Sequence, residues 1–306
     1  MNFYKKIIKS RNLRVSIIRL FNFIPDKPML KIQYRLKTGR KLHLKNPQRY
    51  TEKIQWYKLY YRTDLLTRCS DKYAVRRFVE ERGLGHILND LYAVYDTPDQ
   101  VEWDSLPQSF AMKANNGSGT NYFVSDKKNE TADHLRDISS KWFRNMGHSL
   151  GREWCYVHIP PKLIFEKLLP RDKNNDLPDY KFFCFDGKVY CLYTMIDYTD
   201  NHANGKLGFF DRDFNQMPYR RLDYNPITSP LEKPANFDLM VEYAETLAAG
   251  FPHVRVDFYN IDGQIVFGEM TFYNASGYTL FEPDAFDRIL GDQFVLPEKT
   301  IPSAAD

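Results

Sequence analysis

Val254-Arg-Val-Asp-Phe-Tyr-Asn-Ile-Asp-Gly-Gln-Ile-Val-Phe-Gly-Glu-Met-Thr-Phe-Tyr-Asn-Ala-Ser-Gly277 is the stretch whose reading decides the fold. Residues 254–260 and 264–272 are rich in β-branched and aromatic side chains, and Asp262-Gly263 stands between them, the pattern of a β-hairpin. The parity of two carboxylates, Asp257 and Glu269, is what matters. A two-residue Asp-Gly loop pairs 257 with 268 and puts the carboxylates on opposite faces. A three-residue loop, Ile261-Asp262-Gly263 with the glycine left-handed, pairs 257 with 267 and 255 with 269. The odd loop is the expectation, because it places Arg255, Asp257 and Glu269 on one face with the carboxylates as diagonal neighbours about 7–8 Å apart. Side chains so spaced can converge on a hard cation, with the arginine beside them. The same residues also suit a purely structural Arg–carboxylate cluster, so the rest of the chain must decide.

Working outward, the 306 residues are 43% hydrophobic, enough for one large domain or two small ones with a proper core. With 22 Phe and 21 Tyr the chain is unlike a disordered protein. Cys69, Cys155, Cys184 and Cys191 form no CxxC pair and are too few for a disulfide scaffold, so buried, reduced thiols are expected. No His lies at ligand spacing from a Cys pair, which argues against structural zinc. The net charge of +4 hides an asymmetry: residues 1–49 carry fourteen Lys/Arg against Asp26 alone, and the remainder sums to −9. A basic head on an acidic body points to an anionic contact: a membrane surface, an acidic glycan or nucleic acid. No apolar run approaches 18 residues, and Lys9, Arg11, Arg14 and Arg19 interrupt what would be a signal peptide.

In chain order, Phe3, Tyr4, Ile7, Ile8, Ile17, Ile18 and Phe21 recur at helical spacing among basic residues until Pro25. Such a helix can lie in a membrane interface or pack on its own domain. Residues 51–60 predict a helix, and Asp71 is expected to cap another over Lys72–Arg82, ending at Gly83. Strands are expected at 91–95, 109–113 and 121–124, a helix over 131–145, and a short buried strand leading into Glu166. Asp179–Phe185 and Lys188–Thr194 predict a second hairpin about Asp186-Gly187. Residues 197–234 read as irregular, followed by a helix over 238–249. Between the strands 109–113 and 121–124, Lys113 ends the first and Ala114-Asn-Asn-Gly-Ser-Gly-Thr120 follows. Such a loop can offer backbone N–H groups to phosphate oxygens, with the lysine as a point charge, though it is not a P-loop.

Taken together, strand-end Lys113 with its Gly-rich loop, Glu166-Lys-Leu-Leu169, Asp179-Tyr-Lys181, Arg255-x-Asp257 and Glu269-x-Thr271 resemble the ATP-grasp superfamily. Their order from Asp71 to Gly277, with Asp71-Lys-Tyr-Ala-Val-Arg76 and Phe267-Gly-Glu-Met-Thr-Phe272, looks most like its TupA-like, polysaccharide-biosynthesis branch. The resemblance implies an α+β ATP-grasp fold in which two antiparallel-sheet subdomains clamp a nucleotide. The catalytic domain is then expected at 71–296, after residues 1–70 that read as helical and basic where many members carry an α/β domain, and before a polar tail at 297–306 expected to fray. The resemblance also implies ATP and Mg²⁺ as cofactors. Lys113 would bind the α/β phosphates, Asn115, Gly117, Ser118 and Gly119 would close over the β/γ phosphates, and Arg76 would supply a second cation. Glu166, Lys167, Leu168 and Leu169 would be the adenine hinge, with Asp179 in the same nucleotide set. Asp257, Glu269 and Thr271 would hold the metal, although many ATP-grasp enzymes carry Asn at the place of Thr271, and Asn274 lies offset from it. Arg255 and Lys181 would be catalytic, the arginine steadying the acylphosphate or the transferring γ-phosphate.

The implied reaction is ATP-dependent carboxylate–amine ligation through an acylphosphate, on a uronic-acid carboxylate of a surface polysaccharide precursor with an amino acid or amine. The expected setting is cytoplasmic, peripheral on the inner membrane face through residues 1–49. Two alternatives stay open: a glycosyltransferase using the Asp211-Arg-Asp213 triplet, and a sugar kinase on the same fold. The basic head carries no recognised nucleic-acid motif, so nucleic acid is not an expected partner.

Overall fold

The computed structural model describes residues 21, 23–117, 119–144, 150–199 and 205–301. The helical pattern expected from Phe3 to Ile18, and Ser118, lie outside them. Four helices come first: α1 (Asp26–Thr38), α2 (Tyr50–Tyr60), α3 (Asp64–Ser70) and α4 (Ala74–Glu81). The buried Glu52 carboxylate fixes the entry to α2 by accepting the backbone N–H groups of His43, Gln48 and Arg49 at 3.1, 3.0 and 3.2 Å. Thr63 caps α3, which the sequence reading passed over; its hydroxyl accepts from the Leu66 N–H. Asp71 does not start a helix at Lys72. Its Oδ1 accepts from the N–H groups of Tyr73 and Ala74, a tight turn that delays α4 to Ala74.

A small antiparallel sheet follows, built from β1 (Leu91–Tyr95), β2 (Phe110–Ala114), β3 (Asn121–Val124) and β4 (Leu163–Glu166) in the order β1-β4-β2-β3. Helix α5 (Ala132–Phe143), capped by Thr131, covers it by packing Leu135, Ile138 and Trp142 against a core of Phe110, Phe165 and Trp103. Helix α6 (Trp154–Val157) lies between α5 and β4 in the chain. The large sheet uses β5 (Asp179–Phe185), β6 (Lys188–Ile196), β7 (Lys206–Asp211), β9 (Asn225–Pro226), β10 (His253–Ile261) and β11 (Gln264–Thr271), ordered β11-β10-β5-β6-β7-β9. β8 (Arg220–Arg221) pairs separately with β12 (Phe281–Glu282). Thus residues 197–234 are not wholly irregular. Leu207, Gly208, Phe209 and Phe210 are buried on both faces of β7, so the alternation that marks a half-exposed strand is missing.

The hairpin β10–β11 turns through two residues rather than three. Ile261 pairs with Gln264, and Asp262 and Gly263 both take positive φ (50° and 96°), as a tight hairpin turn requires. The expected parity nevertheless holds, because the register shifts between Phe258↔Phe267 and Asp257↔Glu269, leaving Gly268 as an extra residue in a β-bulge. A Cβ on Gly268 would stand 2.9 Å from the Asp257 carbonyl oxygen, so the bulge closes only around glycine. Asp257 and Glu269 are therefore directly opposed, closer than the diagonal expected.

The two faces of the large sheet differ. Phe182, Phe258 and Val256 pack toward α7 (Phe237–Ala248), with the Phe237 ring 5.8 Å from that of Phe182. On the other face, Phe183, Phe185 and His253 meet Tyr50 of α2, Phe294 and α8 (Phe286–Gln293). That end is sealed core, where each fully buried Phe contributes about 1.5–3 kcal/mol. Tyr50, Ile54 and Tyr57 of α2 belong to this same core. The chain's end is tied there too, as Thr300 N–H donates to the Tyr60 carbonyl at 2.9 Å. The other end of the face carries charge. All four cysteines are buried and free, and no helix among the described residues is long and apolar enough to cross a membrane.

Candidate active site

Cross-strand pairing lays out the charged end. Glu269 (β11), Asp257 (β10), Lys181 (β5) and Tyr193 (β6) are successive partners and so form one row on one face. Two residues along β10, Arg255 stands opposite Thr271, and two residues along β5 from Lys181 lies Asp179. The Arg255 guanidinium knits the row together. Its Nε and Nη2 donate to Asp257 at 2.7 and 2.6 Å, and Nη2 also reaches Glu269 Oε1 and Thr271 Oγ1, each at 3.0 Å. Nη1 donates to Asn274 Oδ1 at 2.5 Å and to the Tyr193 hydroxyl at 3.1 Å. Lys181 Nζ sits between Asp257 Oδ2 (2.6 Å) and Asp179 Oδ2 (2.5 Å).

Exposure separates the two opposed acids. The Asp257 side chain is 1% exposed and the Glu269 side chain 39%, so Glu269 is the carboxylate open to solvent. Burial pushes the Glu269 carboxyl up, but Lys72, Arg255 and Lys181 outweigh it and bring its pKa down to about 2. Asp179 moves the other way. Burial, aided by the nearby Asp257 charge and opposed by Lys181, raises it to about 6. Burial disfavours the Lys181 charge, but Asp179 and Asp257 reverse this and hold its pKa high.

The facing wall comes from the small sheet and the start of α4. Lys113 Nζ and Arg76 Nη1 both bind Glu166, at 2.7 and 3.2 Å, and Arg76 Nη2 donates to the Asn89 carbonyl at 2.8 Å. Glu166 is thus the anchor of both cations. Lys72 joins the two walls: its N–H donates to the Asn115 carbonyl, its Nζ to the Gly117 carbonyl at 2.6 Å, and its charge acts on Glu269. Burial lowers the Lys72 pKa, Lys113 pushes the same way, and Glu269 pulls it back.

Most expected site residues therefore converge, with some already committed within the chain. Asn115 is fully buried and closes its own loop, accepting from the Lys162 N–H and donating to the Pro160 carbonyl. Gly117 and Gly119 adopt positive φ in the loop beyond it. Lys167 spends both peptide groups on Asp90 and Asn89, whereas the half-buried Leu168 and Leu169 make no backbone hydrogen bond among the described residues. Thr271 donates to Glu269 Oε1 at 3.1 Å. Asp211 of the DxD triplet folds onto its own turn, accepting from the N–H groups of Asp213 and Asn215. Two site residues escaped assignment. Lys72 was visible in the Asp71–Arg76 motif, four residues before Arg76. Tyr193, an ordinary strand tyrosine, carried no signal.

Among the described residues no three His, Cys, Asp or Glu side chains converge as a self-sufficient metal site. Two opposed carboxylates are what Mg²⁺ takes when phosphate oxygens and waters complete its shell, so the donor set fits that ion bound together with a nucleotide.

A model of the TupA-like ATPgrasp family matches residues 52–295. No curated protein matches the chain. Among solved structures, similarity is found to an N5-carboxyaminoimidazole ribonucleotide synthetase in complex with ADP, at 13% identity and a TM-score of 0.41 over 68% of this chain and 46% of that one. The D-alanine–D-alanine ligase of Bacillus anthracis is similar at 18% identity and a TM-score of 0.37, covering 67% and 57% of the two chains. That of Helicobacter pylori gives 14%, 0.47, 80% and 69%. The chain thus spans about half the length of the first two structures it resembles.

Proposed function

Because the chain belongs to the TupA-like ATP-grasp family, we propose that it is an ATP- and Mg²⁺-dependent ligase that joins a carboxylate to an amine. The observation that carries this reading is the row Glu269–Asp257–Lys181–Tyr193, stitched by Arg255 and faced by Lys72, Lys113 and the Gly117–Gly119 loop. In the first half-reaction a carboxylate oxygen of the acceptor attacks the γ-phosphorus of ATP and ADP leaves. In the second, the amine attacks the acyl carbon of the acylphosphate and inorganic phosphate leaves. Such transfers need positioning and charge neutralisation above all.

The residues divide these tasks. Lys113, held by Glu166, and Lys72 neutralise the phosphates, with Arg76 bracing Glu166 from behind. The free backbone groups of Leu168 and Leu169 suit the edge of adenine. Asp257 and Glu269 would hold Mg²⁺, which when bound neutralises charge on the phosphate oxygens. Arg255 supplies a fixed positive fork to the transferring group. The acceptor is a uronic-acid carboxylate of a surface-polysaccharide precursor, handled on the cytoplasmic side with the basic residues 1–49 toward an anionic membrane or glycan. Residues 71–296 form the catalytic unit, and α2 ahead of it packs into the same core.

ADP and phosphate release that requires both a carboxylate and an amine tests the reaction. Phosphate retained on the product without any amine would instead mark a sugar kinase. Wild-type turnover in Asp257→Asn/Glu269→Gln would remove the metal assignment.

A further inference from the structure

Arg255 divides the charged face in two. Its Nη2 side holds Asp257, Glu269 and Thr271, and its Nη1 side holds Tyr193 and Asn274. The Nη1 side has a hydrogen-bond imbalance. The Tyr193 hydroxyl accepts from Arg255 Nη1 at 3.1 Å and from Arg221 Nη1 at 3.4 Å. Guanidinium groups only donate, so the hydroxyl's own proton has no acceptor among the described residues. Asn274 shows the same excess. Its Oδ1 must face Arg255, which leaves Nδ2 as a donor, and that nitrogen is buried with no partner. Tyr193 is 2% exposed, Asn274 1% and Arg221 7%. Two residues with orphan donors thus flank Arg255 Nη1, and the Arg221 guanidinium lies against one of them. Buried donors are rarely left unpaired, because each forfeits the hydrogen bond it made with water.

We infer that Tyr193, Asn274 and Arg221 form, with Arg255 Nη1, the subsite for the acceptor's carboxylate. This rests on the ligase reading and names the place of its substrate. A ligand oxygen that only accepts would pair both orphan donors, and beside two guanidinium groups an anionic one is favoured. The Nη1 side adjoins the Glu269 side across a single guanidinium, at 3.1 Å from the Tyr193 hydroxyl and 3.0 Å from Glu269 Oε1, so a nucleotide phosphate as the source is an outcome that the test separates. Arg255 then stands between the two oxyanions that must meet. Arg221 is preset: Asp223 grips its Nε and Nη2 at 3.0 and 2.8 Å, which turns Nη1 toward Tyr193. The guanidinium lies 5.5 and 5.0 Å from the Tyr193 and Tyr224 ring centroids, which holds Arg221 against the subsite.

The test is calorimetric titration of D-glucuronate and of neutral D-glucuronamide, with and without saturating Mg²⁺ and a non-hydrolysable ATP analogue. The wild type is compared with Tyr193→Phe, Asn274→Ala and Arg221→Met. The wild type is expected to bind glucuronate over glucuronamide. Tyr193→Phe, the variant least able to disturb folding, loses roughly 10-fold or more, as befits one hydrogen bond to a charged group, with nucleotide affinity within about twofold. Glucuronate affinity unchanged in Tyr193→Phe overturns the subsite. So does a loss that falls on the nucleotide, which would assign these donors to phosphate, and so does a wild type that binds nucleotide but no glucuronate. Selective glucuronate binding through Tyr193 without any nucleotide binding would keep the subsite and overturn the ligase reading. Binding of neither overturns both.

Discussion

Gly268→Ala isolates the device that sets Asp257 opposite Glu269, the pair proposed to hold Mg²⁺. The new methyl group would lie 2.9 Å from the Asp257 carbonyl oxygen and 3.3 Å from its Cβ. Ordinary contact begins near 3.4 Å, so β11 must retreat from β10 by about 0.5 Å at the bulge. Overpacking of this kind costs about 1–3 kcal/mol, a fall of several degrees in Tm. The functional loss has a different origin. Glu269 follows Gly268 directly, and a site for a small octahedral ion must be held to within about 0.5 Å, so a shift of this size uses up the whole margin. Mg²⁺-dependent ATP affinity should therefore drop about tenfold, while the metal-independent component stays. Gly263→Ala is the control: at φ +96° it is strained by about 1–2 kcal/mol, yet nothing lies within 4 Å of its new methyl and the acids stay in register. Both variants lose comparable stability, and only Gly268→Ala should lose Mg²⁺-dependent affinity, as read by calorimetry with and without the ion. Equal affinities in the two variants would refute the idea that the bulge aligns Asp257 with Glu269.

Other substitutions probe separate parts of the site. Asp179, raised to about 6 from an ordinary 3.8, contributes stability in its protonated form that is full below about pH 4 and lost as pH rises through 6. Asp179→Asn should accordingly melt without that decline, and parallel Tm profiles for variant and wild type from pH 4 to 7 would contradict it. Lys72→Met should weaken ATP binding roughly tenfold and raise the Glu269 pKa from about 2, a change visible in the ¹³C carboxyl shift of labelled Glu. Glu166→Gln releases Lys113 and Arg76 together, so it should cost at least as much nucleotide affinity as Lys113→Met does. If it is silent, Glu166 does not anchor the phosphate cations.

How far the sequence could be read depended on the type of signal. The strands 91–95 and 121–124 and the turn Asp186-Gly187 announced themselves through composition and turn chemistry, and they stand where expected. The face shared by Asp257 and Glu269 was foreseen for a reason that proved incomplete. Parity was assigned to the loop, while a bulge one residue before Glu269 supplies it, and Gly268 inside a strand was the available clue. β7 stayed hidden because burial on both faces erases alternation. Tyr193 and Arg221 were illegible because their importance lies in unpaired protons and in contacts 28 residues apart, which no local pattern encodes.

The seat of α2 has a consequence for synthesis of the chain. Tyr50 hydrogen-bonds His253 across 203 positions, and Thr51 hydrogen-bonds Asp287 across 236. At about 5–20 residues per second, a ribosome needs on the order of 10–50 s to deliver those partners after α2 has emerged. The small sheet, by contrast, is complete in sequence by Glu166 and can close during translation. The small sheet is therefore made first, while Tyr50 and Thr51 of α2 wait for His253 and Asp287.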